Sequence, residues 1–272
     1  MMNGLVKGVV SGCVFTVAAV FAEPVVTDFK TTQWNGFEKD EFKLDGSVCL
    51  VVKPKVAAKG APWIWRPEFF GHEPQSELAL LSNGFHAVHI NMGNSFGCPS
   101  ALDKMDKFYA YLRKTYQLNE KTALSGFSRG GLYSFNWTAR NPALVAAIYV
   151  DNPVCDFKSW PGGKGKGKGS AGDWRKLLAD YGFADEQAAL AYKLNPVDNL
   201  APIAAKKIPI LGICGDSDKV VPFDENFGLV KARYEALGGP LQVIMKPGCD
   251  HHPHSLKDPT PITQFMLKAY GL

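Results

Sequence analysis

Ser128 stands in the run Gly126-Phe127-Ser128-Arg129-Gly130-Gly131, a Gly-x-Ser-x-Gly spacing. A serine on a sharp turn between a strand and a helix lifts its hydroxyl out of the sheet, and glycines on either side are expected because such a turn leaves no room for a Cβ. The flanking residues supply that setting: 122–127 form an apolar, strand-like run, and 130–140 read as a helix. A serine alcohol is a weak nucleophile, so it needs a base, and the base needs an orienting acid. After a strand–elbow–helix unit these follow in the order Ser, Asp, His.

Two later loops offer them. The strand-like run 208–214 enters Gly215-Asp216-Ser217-Asp218-Lys219-Val220-Val221-Pro222, where Asp218 is the candidate acid and Asp216 the alternative, its other role being to close the turn. The strand-like run 241–245 enters Pro247-Gly248-Cys249-Asp250-His251-His252-Pro253-His254, where His251 is the candidate base and His252 and His254 stand beside it. The histidine cluster is read as holding no metal, because adjacent histidines are expected to point apart and no His-Glu-x-x-His spacing occurs. A tetrahedral intermediate also needs two N–H donors for its oxyanion. The residue after the nucleophile, Arg129, supplies one; the loop Arg66-Pro67-Glu68-Phe69-Phe70-Gly71-His72, after the strand-like run 62–65, supplies the second, with Pro67 excluded because it has no N–H.

These pieces must be positioned by a sheet. Apolar runs at 62–65, 86–92, 122–127, 145–150, 208–214 and 241–245 alternate with helix-like stretches at 75–81, 102–116, 131–140, 226–237 and 260–270. That order implies parallel strands with helices on both faces and ligands at the carboxyl ends of the strands. Before it, 31–54 alternates polar and apolar residues around Asp45-Gly46, as an antiparallel pair would.

The elbow, the Asp218-x-x-Val221-Pro222 loop and the Gly248-x-x-His251 loop together resemble the α/β-hydrolase superfamily, particularly its dienelactone-hydrolase-like and prolyl-oligopeptidase-like esterases and peptidases. The resemblance runs from about Val48 to the C-terminus and departs at Asp250, where such proteins often have glycine. It implies an α/β-hydrolase fold: a mostly parallel twisted sheet with helices on both faces, a serine acyl-enzyme mechanism and no cofactor. It favours Phe69 as the second oxyanion donor, with Arg66 next. It leaves open an exopeptidase or amidase as the alternative to an esterase, and a non-catalytic binding protein on the same fold.

The remaining features bound the answer. A charge of +4 from 30 basic and 26 acidic residues names no nucleic-acid partner. Residues 1–22 read as a secretory leader cleaved after Ala22, with lipoprotein anchoring at Cys13 the lesser reading, so the catalytic domain is expected over 23–272 and the chain secreted or periplasmic. Of Cys49, Cys98, Cys155, Cys214 and Cys249, an odd number, at least one is expected unpaired. An insertion over about 156–207 opens with the glycine-lysine run 162–169, read as a flexible cationic cap segment. Export and the aromatics Trp63, Trp65, Phe69, Phe70, Trp160 and Trp174 point to acylated carbohydrate, with Trp65, Phe70 and Trp160 as the candidate substrate contacts.

Overall fold

Turn chemistry at the N-terminal side sets the first three strands. The computed structural model describes residues 24–272, so the leader and Cys13 lie outside the described residues. Asn35-Gly36 and Asp45-Gly46 all have positive φ (49°, 79°, 47° and 80°), the backbone that two-residue hairpin turns require. They join β1 (Val26–Trp34), β2 (Phe37–Leu44) and β3 (Ser47–Val52) into an antiparallel meander. The sequence around Asp45-Gly46 predicts only the second turn and two strands; β1 is an added, largely exposed edge.

From there strand and helix alternate: β4 (Trp63–Trp65), α1 (Gln75–Ser82), β5 (His86–Ile90), α2 (Pro99–Thr115), β6 (Thr122–Phe127), α3 (Gly130–Arg140) and β7 (Val145–Asp151). Then come α4 (Ala171–Tyr181), α5 (Glu186–Ala191), α6 (Ala201–Ala205), β8 (Ile210–Gly215), α7 (Phe227–Ala236), β9 (Leu241–Lys246) and α8 (Thr260–Tyr270). The nine strands among the described residues lie in the order β1-β2-β3-β5-β4-β6-β7-β8-β9. β3 meets β5 antiparallel, and every pairing from β5 to β9 is parallel. Because helices cover both faces, the central strands β6 and β8 are buried along their whole length; β8 reads as an unbroken run of apolar and glycine residues, and β6 holds only Thr122 and Ser125 as polar residues. β4 shows the period of two: Trp63 and Trp65 pack with Met105, Phe108 and Trp137 on one face, and Ile64 packs with Leu80, Ile262 and Met266 on the other.

The segment between β7 and β8 has a small core of its own, where Phe157, Trp174, Leu177 and Ala189 join Phe96 and Leu132. Its glycine-lysine run is not the flexible cationic linker expected from composition. Backbone N–H groups of Gly162, Gly163, Lys164 and Ser170 donate to the carbonyls of Phe157, Ser159, Lys158 and Pro161 at 2.8–2.9 Å. A Cβ on Gly169, where φ is +65°, would meet Gly163 Cα and Pro161 O, both at 2.6 Å. Gly162, Gly163 and Gly169 are there so that backbone can pack on backbone. Glu225 anchors the run from outside by accepting from Ser159 Oγ at 2.7 Å and from the Lys166 N–H, while Lys164 pairs with Glu186 and Lys166 with Asp224.

Candidate active site

β6 delivers Ser128 to the carboxyl edge of the sheet with φ at +48°, a left-handed conformation that costs on the order of 1 kcal/mol or more in a non-glycine residue. Neighbouring backbone fixes it there: the Ser128 N–H donates to Asp151 O at 3.0 Å, and its carbonyl accepts from Gly131 and Val154 at 3.0 and 2.9 Å. Space is the reason for Gly126, whose Cβ would lie 2.6 Å from Ser134 Oγ and 2.7 Å from Gly130 O. On the downstream side the structure assigns this constraint differently from the motif. A Cβ on Gly130 would make an ordinary 3.5 Å contact with Glu68, whereas one on Gly131 would strike Pro153 Cβ and Val154 O at 2.7 Å.

Ser128, His251 and Asp218 come from three different strand ends and meet in one hydrogen-bonded row. His251 Nε2 is 3.0 Å from Ser128 Oγ, and His251 Nδ1 is 2.7 Å from Asp218 Oδ2. A carboxylate can only accept, so Nδ1 carries the proton and Nε2 presents its lone pair to the serine hydroxyl. The other Asp218 oxygen accepts the N–H groups of Val220 and Val221 at 2.9 and 2.8 Å, so the carboxylate plane is fixed by the loop that carries it. Such a row can remove a proton from Ser128 and return it to a leaving group.

The alternatives take other places. Asp216 Oδ1 accepts the Gly248 N–H at 2.8 Å and so ties the acid loop to the start of the base loop. His254 has its Nδ1 2.9 Å from Asp151 Oδ1, and Asp151 Oδ2 accepts the Ser255 N–H at 2.8 Å. His252 is exposed; its burial, though partial, together with the neighbouring imidazoles, lowers its pKa.

Several supports had no signal in the sequence. Asn152, with φ at +40°, donates through Nδ2 to His251 O at 2.8 Å and accepts the Gly215 N–H at 2.7 Å, bridging the ends of β7 and β8 to the base. Asp250 accepts the N–H groups of Lys219 and His251 at 2.9 and 2.8 Å, and these bonds, Lys219's first, hold its carboxyl below the ordinary value. The only available signal for Asp250 was its departure from the glycine usual at that position.

On the oxyanion side, Arg66 is corrected. Its N–H is spent in the sheet on Val88 O at 2.9 Å, and its buried guanidinium pairs with Glu77 at 2.5 Å and lies 3.5 Å over the Phe127 ring. The N–H groups of Arg129 and Phe69 have no acceptor among the described residues. Phe69 has φ at +57°, and its ring lies 4.7 Å beneath the Arg129 guanidinium, which also pairs with Glu68 at 3.2 Å. Burial raises the Glu68 pKa against the pull of Arg129.

Of the aromatic substrate contacts, Trp65 is revised. Trp65 is fully buried, edge-on to Trp137 at 5.2 Å and to Phe108 at 5.5 Å, because its place on β4 faces α2 and α3. Phe70 is half-buried between Trp34 and His89 at 5.0 and 5.6 Å. Trp160 is half-buried beside Phe96.

Residues 101–271 match the prolyl oligopeptidase family. The chain belongs to that family. It is a serine hydrolase of the α/β-hydrolase type. No curated protein matches it by sequence. Among solved structures it is similar to acetyl xylan esterase 1 from Thermoanaerobacterium sp. at 16% identity, over 92% of this chain and 89% of that one, with a TM-score of 0.61. An S-formylglutathione hydrolase from Agrobacterium tumefaciens is 13% identical over 90% and 98%, TM-score 0.61. A puromycin hydrolase is 15% identical over 92% of this chain, TM-score 0.63, but the match spans only 40% of that longer chain. These likenesses concern the fold. No helix among the described residues is long and apolar enough to cross a membrane.

Proposed function

We propose that this hydrolase cleaves carboxylic esters through an acyl-enzyme on Ser128. The observation that carries the reading is the row from Ser128 Oγ through His251 to Asp218, at 3.0 and 2.7 Å. His251 Nε2 takes the Ser128 proton as Oγ attacks the ester carbonyl carbon, and Asp218 holds the ring in that tautomer and stabilises the imidazolium. The oxyanion is received by the N–H groups of Arg129 and Phe69. Collapse expels the alcohol, which takes the proton from Nε2; water then repeats the sequence and releases the acid. No cofactor enters any step.

Two neighbours matched over nearly their whole length carry the names esterase and S-formylglutathione hydrolase, which favours small acyl substrates. Peptide or amide cleavage is the second reading, favoured by the family match. Acylated carbohydrate keeps a narrower basis, because Trp63, Trp65 and Trp174 belong to the core, which leaves Phe69, Phe70 and Trp160 half-buried. Export with cleavage after Ala22 belongs to the same proposal, and N-terminal sequencing of the mature protein tests it.

A fluorophosphonate should label wild-type protein at Ser128 and leave Ser128→Ala unlabelled. A panel of nitrophenyl esters, acetylated, methylated and feruloylated glycans and peptide anilides then separates the classes. Short acyl esters as best substrates support the proposal, and anilides as best substrates overturn it in favour of a peptidase.

A further inference from the structure

The imidazoles of His251, His252 and His254 do not point apart. Their ring centroids are 5.0, 5.0 and 4.7 Å apart, with the planes steeply inclined to one another. One ring nitrogen from each lies within 4.8 Å of the other two. Two of the three have their Nδ1 held by a carboxylate, His251 by Asp218 and His254 by Asp151. That leaves Nε2 of each free of a carboxylate, with the Ser128 hydroxyl 3.0 Å from His251 Nε2, in the carboxylate–histidine arrangement that orients imidazoles toward metals and raises their basicity. His252 is exposed, so its ring can turn to complete the set. Next to His72, whose ring lies 6.1 and 6.0 Å from those of His252 and His254, Glu73 has a buried carboxylate oxygen with no hydrogen-bond partner among the described residues.

We propose that His251, His252 and His254 bind a divalent transition-metal ion of the zinc type, and that the bound ion switches the hydrolase off. Three neutral imidazoles and one water make an ordinary tetrahedral zinc shell with Zn–N of about 2.0–2.1 Å. That shell places the nitrogens about 3.3 Å apart, so closure from the present positions takes small ring movements. Nitrogen donors without thiolate or clustered carboxylate suit zinc, copper or nickel and disfavour magnesium and calcium. The ion would hold the lone pair of His251 Nε2 and deprive Ser128 of the acceptor 3.0 Å away. Binding rests on the three imidazoles alone, while inhibition rests on the reading of His251 as the base.

Titration of the full chain with zinc chloride, and with cobalt as a spectroscopic probe, measures binding without reference to activity. The expected result is one ion per chain, visible absorption from tetrahedral cobalt, and ester hydrolysis that falls with zinc and returns with a chelator. His252→Ala should weaken zinc binding by about tenfold or more and raise the zinc needed for half-inhibition by the same factor, with chelated activity unchanged. Ser128→Ala, which carries no hydrolysis, should still bind. Zinc affinity unaltered in His252→Ala overturns the site, as does binding that disappears in Cys249→Ser, which would place the ion on the thiol. Binding through His252 with undiminished hydrolysis overturns the inhibition and leaves the acyl-enzyme reading to its own test.

Discussion

The carboxylate of Asp250 accepts the Lys219 N–H at 2.9 Å, joining the loop that carries the base to the loop that carries its acid. The same oxygen accepts the His251 N–H at 2.8 Å, so one side chain sets the relative height of His251 and Asp218. A displacement of about 1 Å in such a row can cost roughly a hundredfold in rate. Asp250→Ala should therefore lower kcat by roughly 10- to 100-fold with KM nearly unchanged. Asp250→Asn, which keeps an oxygen acceptor, should lose much less. Steady-state kinetics on a short nitrophenyl ester checks this, and equal losses in the two variants would remove the latch role.

Asp218 and Asp216 separate by what they hold. Loss of the orienting acid leaves the histidine in the wrong tautomer and costs about 10⁴ in turnover in well-studied serine enzymes. Asp218→Asn should fall by at least about two orders of magnitude on that scale. Asp216→Asn keeps an oxygen for the Gly248 N–H and should retain most activity. The reverse ordering would move the acid to Asp216.

How much of this could be read from the chain depends on what kind of restraint each residue obeys. The alternation of apolar runs and amphipathic stretches locates the parallel strands from β4 to β9 within a few residues, because strands buried on both faces, as β4, β6 and β8 are, leave a largely apolar signal. Ser128, Asp218 and His251 were legible because each stands just after such a run. Long-range bridges left no comparable trace: Asn152 and Asp250 act through backbone N–H and C=O groups 31 to 99 residues away. Trp65 was misread for a related reason, since its composition looks like a sugar platform and only the pleat of β4 decides which way it faces. The glycine-lysine run misled in the opposite sense, its glycines being demanded by close packing and not by freedom of movement.

Acid should weaken the fold through two histidines outside the site. Burial pushes His86 and His89 down to about 4 from an ordinary 6.5, and His89 Nδ1 donates to Arg66 O at 2.8 Å. Both are neutral in the folded state, and the unfolded chain takes up their protons first. Their contribution is fully present above pH 6.5 and is lost as pH falls from there toward 4, up to on the order of 3 kcal/mol for each. Thermal denaturation across that window should show a steep loss in wild type and a shallower one in His89→Asn, which keeps a donor for Arg66 O. An identical slope in the two proteins would refute the assignment to His89.

The glycine-lysine run gives the sharpest contrast between charge and packing. Lys164 and Lys166 are already paired with Glu186 and Asp224 at the surface, where such pairs contribute little to stability and are screened by salt. Lys168 alone of the three has no ion pair among the described residues. Replacing all three with serine should leave stability and kcat/KM on neutral esters nearly unchanged. On an anionic ester it should cause only a small loss that disappears at high salt, since exposed charges are screened within about 8 Å at physiological ionic strength. Gly169→Ala should do more damage, because its Cβ meets backbone at 2.6 Å on two sides in a left-handed conformation. The expected loss is about 1–3 kcal/mol, the usual range for overpacking. Differential scanning calorimetry of the two variants decides between them: a triple lysine variant less stable than Gly169→Ala would mean that charge pairing, and not backbone contact, holds the segment down.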